Sequence, residues 1–167
     1  KQEISSYIDK MDIQIGYCSA SCGSDLIFIE TMIEKGREVN IILPFMEDDF
    51  LDNNVRYVGP RWEGRFKKII TNVNSIIYAT RDYYLGHDSL YDFAHKMIHG
   101  AAIMRADFLG GKAHMIALWD LKPFSKVANF IDEWHDIETL HVVDLENIIE
   151  KIKHNSNDKT VKDIKTR

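Results

Sequence analysis

Residues Ile13 to Phe45 read IQIGYCSASCGSDLIFIETMIEKGREVNIILPF, and this stretch decides the fold. Ile13 to Ala20 is a short apolar run of strand length, followed by a turn of small residues. Ser24 is placed to cap a helix, Asp25 falls in its positively polarised first turn, and Leu26, Ile29, Met32 and Ile33 supply an apolar stripe that Gly36 ends. Val39 to Leu43 is almost continuously aliphatic and stops at Pro44, as a strand buried on both faces does. Strand, helix and strand in this order predict a parallel pair joined by a crossover, with the Cys18 to Asp25 turn at the carboxyl edge of the sheet. There, backbone N–H groups and a helix N-terminus face outward and ligands bind. Gly16, inside the first strand, marks a place where another backbone or a ligand comes close.

The alternation continues outward from this core. Asp48 to Pro60 is polar and irregular and is expected to form a long loop over the carboxyl edge. Trp62, Phe66, Ile69, Ile70 and Val73 recur at helical spacing within Arg61 to Val73, and Ser75 to Thr80 reads as a third strand. After a loop at Tyr83 to His87, Ser89 with Asp92 forms a capping box. Leu90, Phe93, Met97, Ala101, Met104 and Phe108 then trace one face of a long helix closed by Gly110 and Gly111. Lys112 to Asp120 is a fourth strand, Lys126 to Trp134 a short helix, Thr139 to Val143 a fifth strand, and a last helix begins near Asp144. Such alternation predicts an α/β fold, a three-layer Rossmann-like domain of about five parallel strands in the order 3-2-1-4-5. Residues 1–11 read as a linker or N-terminal helix, 12–154 as the ligand-binding domain, and 155–167 as a flexible basic tail.

Length and composition fit one soluble domain: 167 residues with 45% apolar content fill a single core. A net charge of -5 argues against nucleic acid or an anionic membrane as a partner, since both reward a basic surface. Cys18 and Cys22 are too few for a disulfide framework, and no apolar run is long enough to span a bilayer, so the cytoplasm is the expected compartment. Their spacing is not that of a Cys-x-x-Cys redox pair, and they read as structural thiols. His95 and His99 stand at i and i+4 without a third ligand nearby, so no metal site is expected, and no motif calls for a bound cofactor.

The run GYCSASCGSDLIFIETMIEKGREVNIILPF, the WEGRF segment at Trp62 to Phe66, SIIYATRDYYLGHDSLYDFAHKMIHGAAIMRA and IALWD together resemble a Rossmannoid domain of bacterial signalling proteins. There it accompanies tetratricopeptide repeats or nucleotide cyclase domains, and a related domain lies in the regulatory region of apoptosis signal-regulating kinases. The resemblance covers roughly residues 12–145 and is most specific from Gly23 to Phe45. It implies kinship with nucleoside deoxyribosyltransferase-like and nucleotide-sensing folds, hence a nucleotide or nucleoside-like ligand and neighbouring domains in a larger chain. One departure bears on the site. The family's turn after the Trp-Asp of strand four is of Gly-Gly-Thr type, whereas this chain carries Leu121, Lys122, Pro123, Phe124, Ser125 and Lys126. A turn without glycine cannot close its N–H groups on a phosphate in the same way.

Three residue sets are candidates for chemistry. Ser19, Ser21, Gly23 and Ser24 are suited to cradle a phosphate or ribose, or else form a tight turn with an N-cap. Asp25 beside them favours a ribose hydroxyl or a base over a bare phosphate, because its carboxylate competes for the same field. Glu30, within the apolar run LIFIETMI, becomes a conceivable nucleophile for an N-glycosidic bond through the deoxyribosyltransferase comparison, with Asp25, Asp88 or Asp120 as the second acidic group. The alternative places Glu30 and Glu34 on a solvated helix face. Trp119 and Asp120 close strand four, where an indole can stack on a base and a carboxylate can hold a sugar hydroxyl. Pro44 ends strand two at the same edge, and Arg61, Arg65 and Arg81 are cations near enough to balance a phosphate. Three functions follow: a sensor or regulatory domain, a hydrolase or transferase using Glu30, and an interaction module with a vestigial site.

Overall fold

The computed structural model describes residues 1–123, 125–151 and 153; the expected tail at 155–167 lies outside them. The chain forms a mixed α/β structure of two compact units, Lys1–Ala113 and a second beginning at His114. In the first unit the elements run α1 (Gln2–Lys10), β1 (Ile15–Cys18), α2 (Ser24–Glu34), β2 (Glu38–Leu43), α3 (Glu47–Asn54), α4 (Pro60–Ile70), β3 (Ser75–Tyr78) and α5 (Ser89–Phe108). Its three strands are all parallel in the order β1-β2-β3, with Gly16 opposite Val39 and Ile41 opposite Ile76.

The central strand is the most hydrophobic, and burial follows from its place. Val39, Ile41, Ile42 and Leu43 are all at 0 or 1% exposure, as a strand covered on both faces must be. Alternation sends Gly16 toward α2 and Tyr17 toward α5. On the α5 side Ile42 packs with Ala94 and Ile98, joined by Tyr17, Ala79, Met97 and Ala101. On the α2 side a Cβ on Gly16 would stand 2.8 Å from the Phe28 ring and 3.2 Å from Met32 Cε, so side chains of α2, rather than another backbone or a ligand, occupy the space that this glycine leaves. Helices therefore cover both faces of this sheet. α1 is one of the two forms expected of residues 1–11, and it buries Ile4 and Ile8.

Helix α2 ends as its sequence implies. The Gly36 N–H donates to Ile33 and the Arg37 N–H to Met32, with Gly36 at φ 67°, the double bond pattern that glycine past a helix end permits. Its beginning departs from expectation. Gly23, at φ 103° and ψ -121°, is the N-cap, and Ser24 is the first helical residue rather than the cap. The capping box at Ser89 and Asp92 is likewise replaced: Asp88 holds the N-cap position, without a side-chain cap bond.

The stretch expected as a long loop, Asp48 to Pro60, is largely helical. It holds α3 and a 3₁₀ turn at Arg56–Val58. Polarity hid a helix whose first turn carries Glu47, Asp48 and Asp49, favourable at the positive end of the dipole, and whose Phe50 and Leu51 are buried. Eight residues hold too few repeats for periodicity to show, and packing supplies what propensity does not.

The second unit contains β4 (Met115–Trp119), α6 (Lys126–Asp132) and β5 (Leu140–Asp144), then helical residues over 145–151. β4 and β5 pair in parallel, from Met115 opposite Leu140 to Trp119 opposite Asp144. Among the described residues the strands thus form one sheet of three and one of two, where a single sheet of five was expected. Among the described residues no helix is long and apolar enough to cross a membrane.

Candidate ligand-binding site

The turn between β1 and α2 is built around one carboxylate. Asp25, in the first turn of α2, reaches back over the turn and accepts from Ser19 Oγ in a short hydrogen bond and from the Ser21 N–H at 3.3 Å. The Ser19 and Ser21 hydroxyls stand 3.2 Å apart. Small residues are needed here because the chain must leave β1, turn and enter α2 within five residues. Gly23 makes the last bend, in a backbone region that side chains avoid. The Cys22 N–H donates to the Asn54 carbonyl at 3.1 Å and so ties the turn to the end of α3, while its thiol lies 3.5 Å from the Tyr57 hydroxyl.

Charge in this cluster is held against its solvation. Burial pushes the Asp25 carboxyl above its ordinary 3.8, and the donors Ser19 and Ser21 pull it only partly back. Burial, and then the Asp25 charge, pushes the Cys18 thiol well above 9.0. Cys18 is thus a protonated thiol at neutral pH, in keeping with the structural role expected of it. Both cysteines are free.

The turn residues Ser19, Ser21, Gly23, Ser24 and Asp25 are brought together; Glu30 and Arg65 are brought together elsewhere. Glu30 lies about 9 Å further along the α2 axis than Ser24. It is gripped by Arg65 of α4 through Nε to Oε1 and Nη2 to Oε2, each at 2.7 Å, with both side chains about one quarter exposed. The guanidinium also sits 4.2 Å from the centre of the Trp62 ring. The Arg65 hydrogen bond holds the Glu30 carboxyl below its ordinary 4.5 against the opposing effect of burial. Attack on an anomeric carbon from Glu30 requires this pair to open. Pro44 is buried just after β2, whereas Arg61 and Arg81 are exposed.

In the second unit Trp119 and Asp120 are occupied in shaping their own loop. The Trp119 indole donates to the Lys122 carbonyl and to Ser125 Oγ, each at 3.1 Å, and Ser125 caps α6 by accepting from the Ala128 N–H. Asp120 pairs with Lys122 at 2.7 Å, which draws its carboxyl below 3.8. Leu121 takes φ 58°, a conformation that glycine adopts without strain.

Some residues around the first turn carried no signal that sequence reasoning used. Phe45, Phe50, Tyr84 and Tyr91 form one aromatic cluster, with ring centres 5.0 Å apart for Phe45 and Tyr84 and 5.5 Å for Phe45 and Tyr91. Asp49 accepts from the Tyr84 N–H at 2.7 Å and fastens the 83–87 loop, and Asn54 donates to the Tyr91 hydroxyl at 3.1 Å. The density of aromatics in FMEDDF and RDYYLGHDSLY was the available clue. His95 and His99 lie ring against ring at 5.3 Å, and burial pushes His95 down to about 4. Among the described residues no three potential metal ligands cluster.

No model of a known protein family matches the chain, and no curated protein matches it.

Proposed function

We propose that this chain is a sensor or regulatory domain of a larger cytoplasmic signalling protein, and that it binds a nucleoside or nucleotide-like molecule at the β1–α2 turn. The reading includes a Rossmann-like arrangement in which the two sheets are halves of one order 3-2-1-4-5. It also includes the resemblance to Rossmannoid signalling domains carried by Gly23 to Phe45.

The observation that supports it most is the part-buried Asp25 carboxylate held by Ser19 and Ser21 beside the N-terminus of α2. A carboxylate retained where its ionisation is disfavoured, at the edge of a parallel sheet where ligands bind, is what a recognition site looks like. Its chemistry selects the ligand. The negative charge already fills the field that a phosphate would use, while Asp25 and the serine oxygens can accept from a ribose diol or a base N–H. Recognition through the sugar or base is therefore the favoured mode.

Titration calorimetry against nucleosides, their mono- and diphosphates, and nucleotide sugars tests this. At least one compound should bind, its affinity should change little when the phosphate is removed, and Ser24→Arg, which blocks the turn, should abolish the signal. Binding untouched by Ser24→Arg moves the site elsewhere. Incubation with deoxynucleosides, nucleoside monophosphates and NAD should release no base; release that disappears in folded Glu30→Gln makes the chain an N-glycoside hydrolase or transferase.

A further inference from the structure

We draw no further inference here: the strongest candidate, the side-chain pair of His114 and His141 whose ring nitrogens meet at 3.0 Å beside the β4–β5 ladder, is already joined by its own hydrogen bond, and among the described residues no third metal ligand stands with it.

Discussion

Separating Glu30 from Arg65 is the perturbation that bears most directly on whether Glu30 is chemical or architectural. Two unit charges about 4 Å apart attract by about 4 kcal/mol at an effective dielectric of about 20, before desolvation and side-chain entropy are subtracted. Fully exposed pairs retain about 0.2–1 kcal/mol of this, whereas breaking a buried pair from one side is destabilising by about 3–5 kcal/mol. With three quarters of both side chains covered and two bonds of 2.7 Å, Glu30 and Arg65 fall between those limits. Arg65→Ala also removes the guanidinium from Trp62, worth about 0.5–1 kcal/mol. We expect Arg65→Ala to destabilise by about 2.5 kcal/mol, Glu30→Gln by about 1 kcal/mol, and the pair to show a coupling of about 1–1.5 kcal/mol. Urea denaturation of wild type, both single variants and the double variant gives the cycle, and Arg65→Ala should lower the thermal midpoint by about 8 °C. The pH dependence follows from the lowered Glu30 carboxyl. The contribution of the pair is complete above 4.5 and is lost as pH falls through the depressed value in the folded state, so the coupling vanishes in acid while the Trp62 share of the Arg65→Ala loss remains. Strict additivity at pH 7, or coupling that persists at pH 2, would refute the claim that this ion pair ties α2 to α4.

Three more perturbations have stated outcomes. Asp25→Asn should raise stability at pH 7 by chemical denaturation, because burial disfavours the ionised form; the gain should shrink as pH falls through the raised value in the folded state and be gone below the ordinary 3.8, where the group is neutral folded and unfolded. Gly23→Ala should destabilise by about 1–2 kcal/mol through backbone strain alone, since a Cβ there meets nothing within 4 Å, and an unchanged thermal midpoint would count against the backbone described. Leu121→Asn should stabilise by about 0.5 kcal/mol and Leu121→Ile destabilise by about 1 kcal/mol, because φ 58° suits asparagine and not a β-branched residue; equal midpoints would oppose this.

What was legible in the sequence was whatever a short window decides. The β1–α2–β2 unit could be read because each element announces its period, and because Gly36 and Pro44 mark its ends. β3, β4 and β5 could be read for the same reason, to within a few residues. Helix α3 could not: its eight residues, EDDFLDNN, look like loop, and only the burial of Phe50 among distant aromatics makes them helical. The candidate site was legible as a place but not as an arrangement. That Ser19 and Asp25 would meet follows from the bend at Gly23, but that Glu30 would close on Arg65, thirty-five residues away, depends on how α4 lies against α2. Trp119 was read as a surface for a base, yet its indole N–H is spent on the Lys122 carbonyl and Ser125, partners set by a loop conformation that no local pattern encodes.

The contact between Gly16 and Phe28 carries a consequence for descent. The Phe28 ring occupies the volume where a side chain at position 16 would begin, 2.8 Å from its Cβ. Neither residue can therefore drift alone. A lineage that acquires alanine or valine at position 16 must shrink or turn aside the residue at position 28, and one that keeps phenylalanine at 28 in its present rotamer must keep glycine at 16. Substitutions at these two sites, twelve positions apart, should rise and fall together across relatives, whatever ligand the neighbouring turn has come to serve.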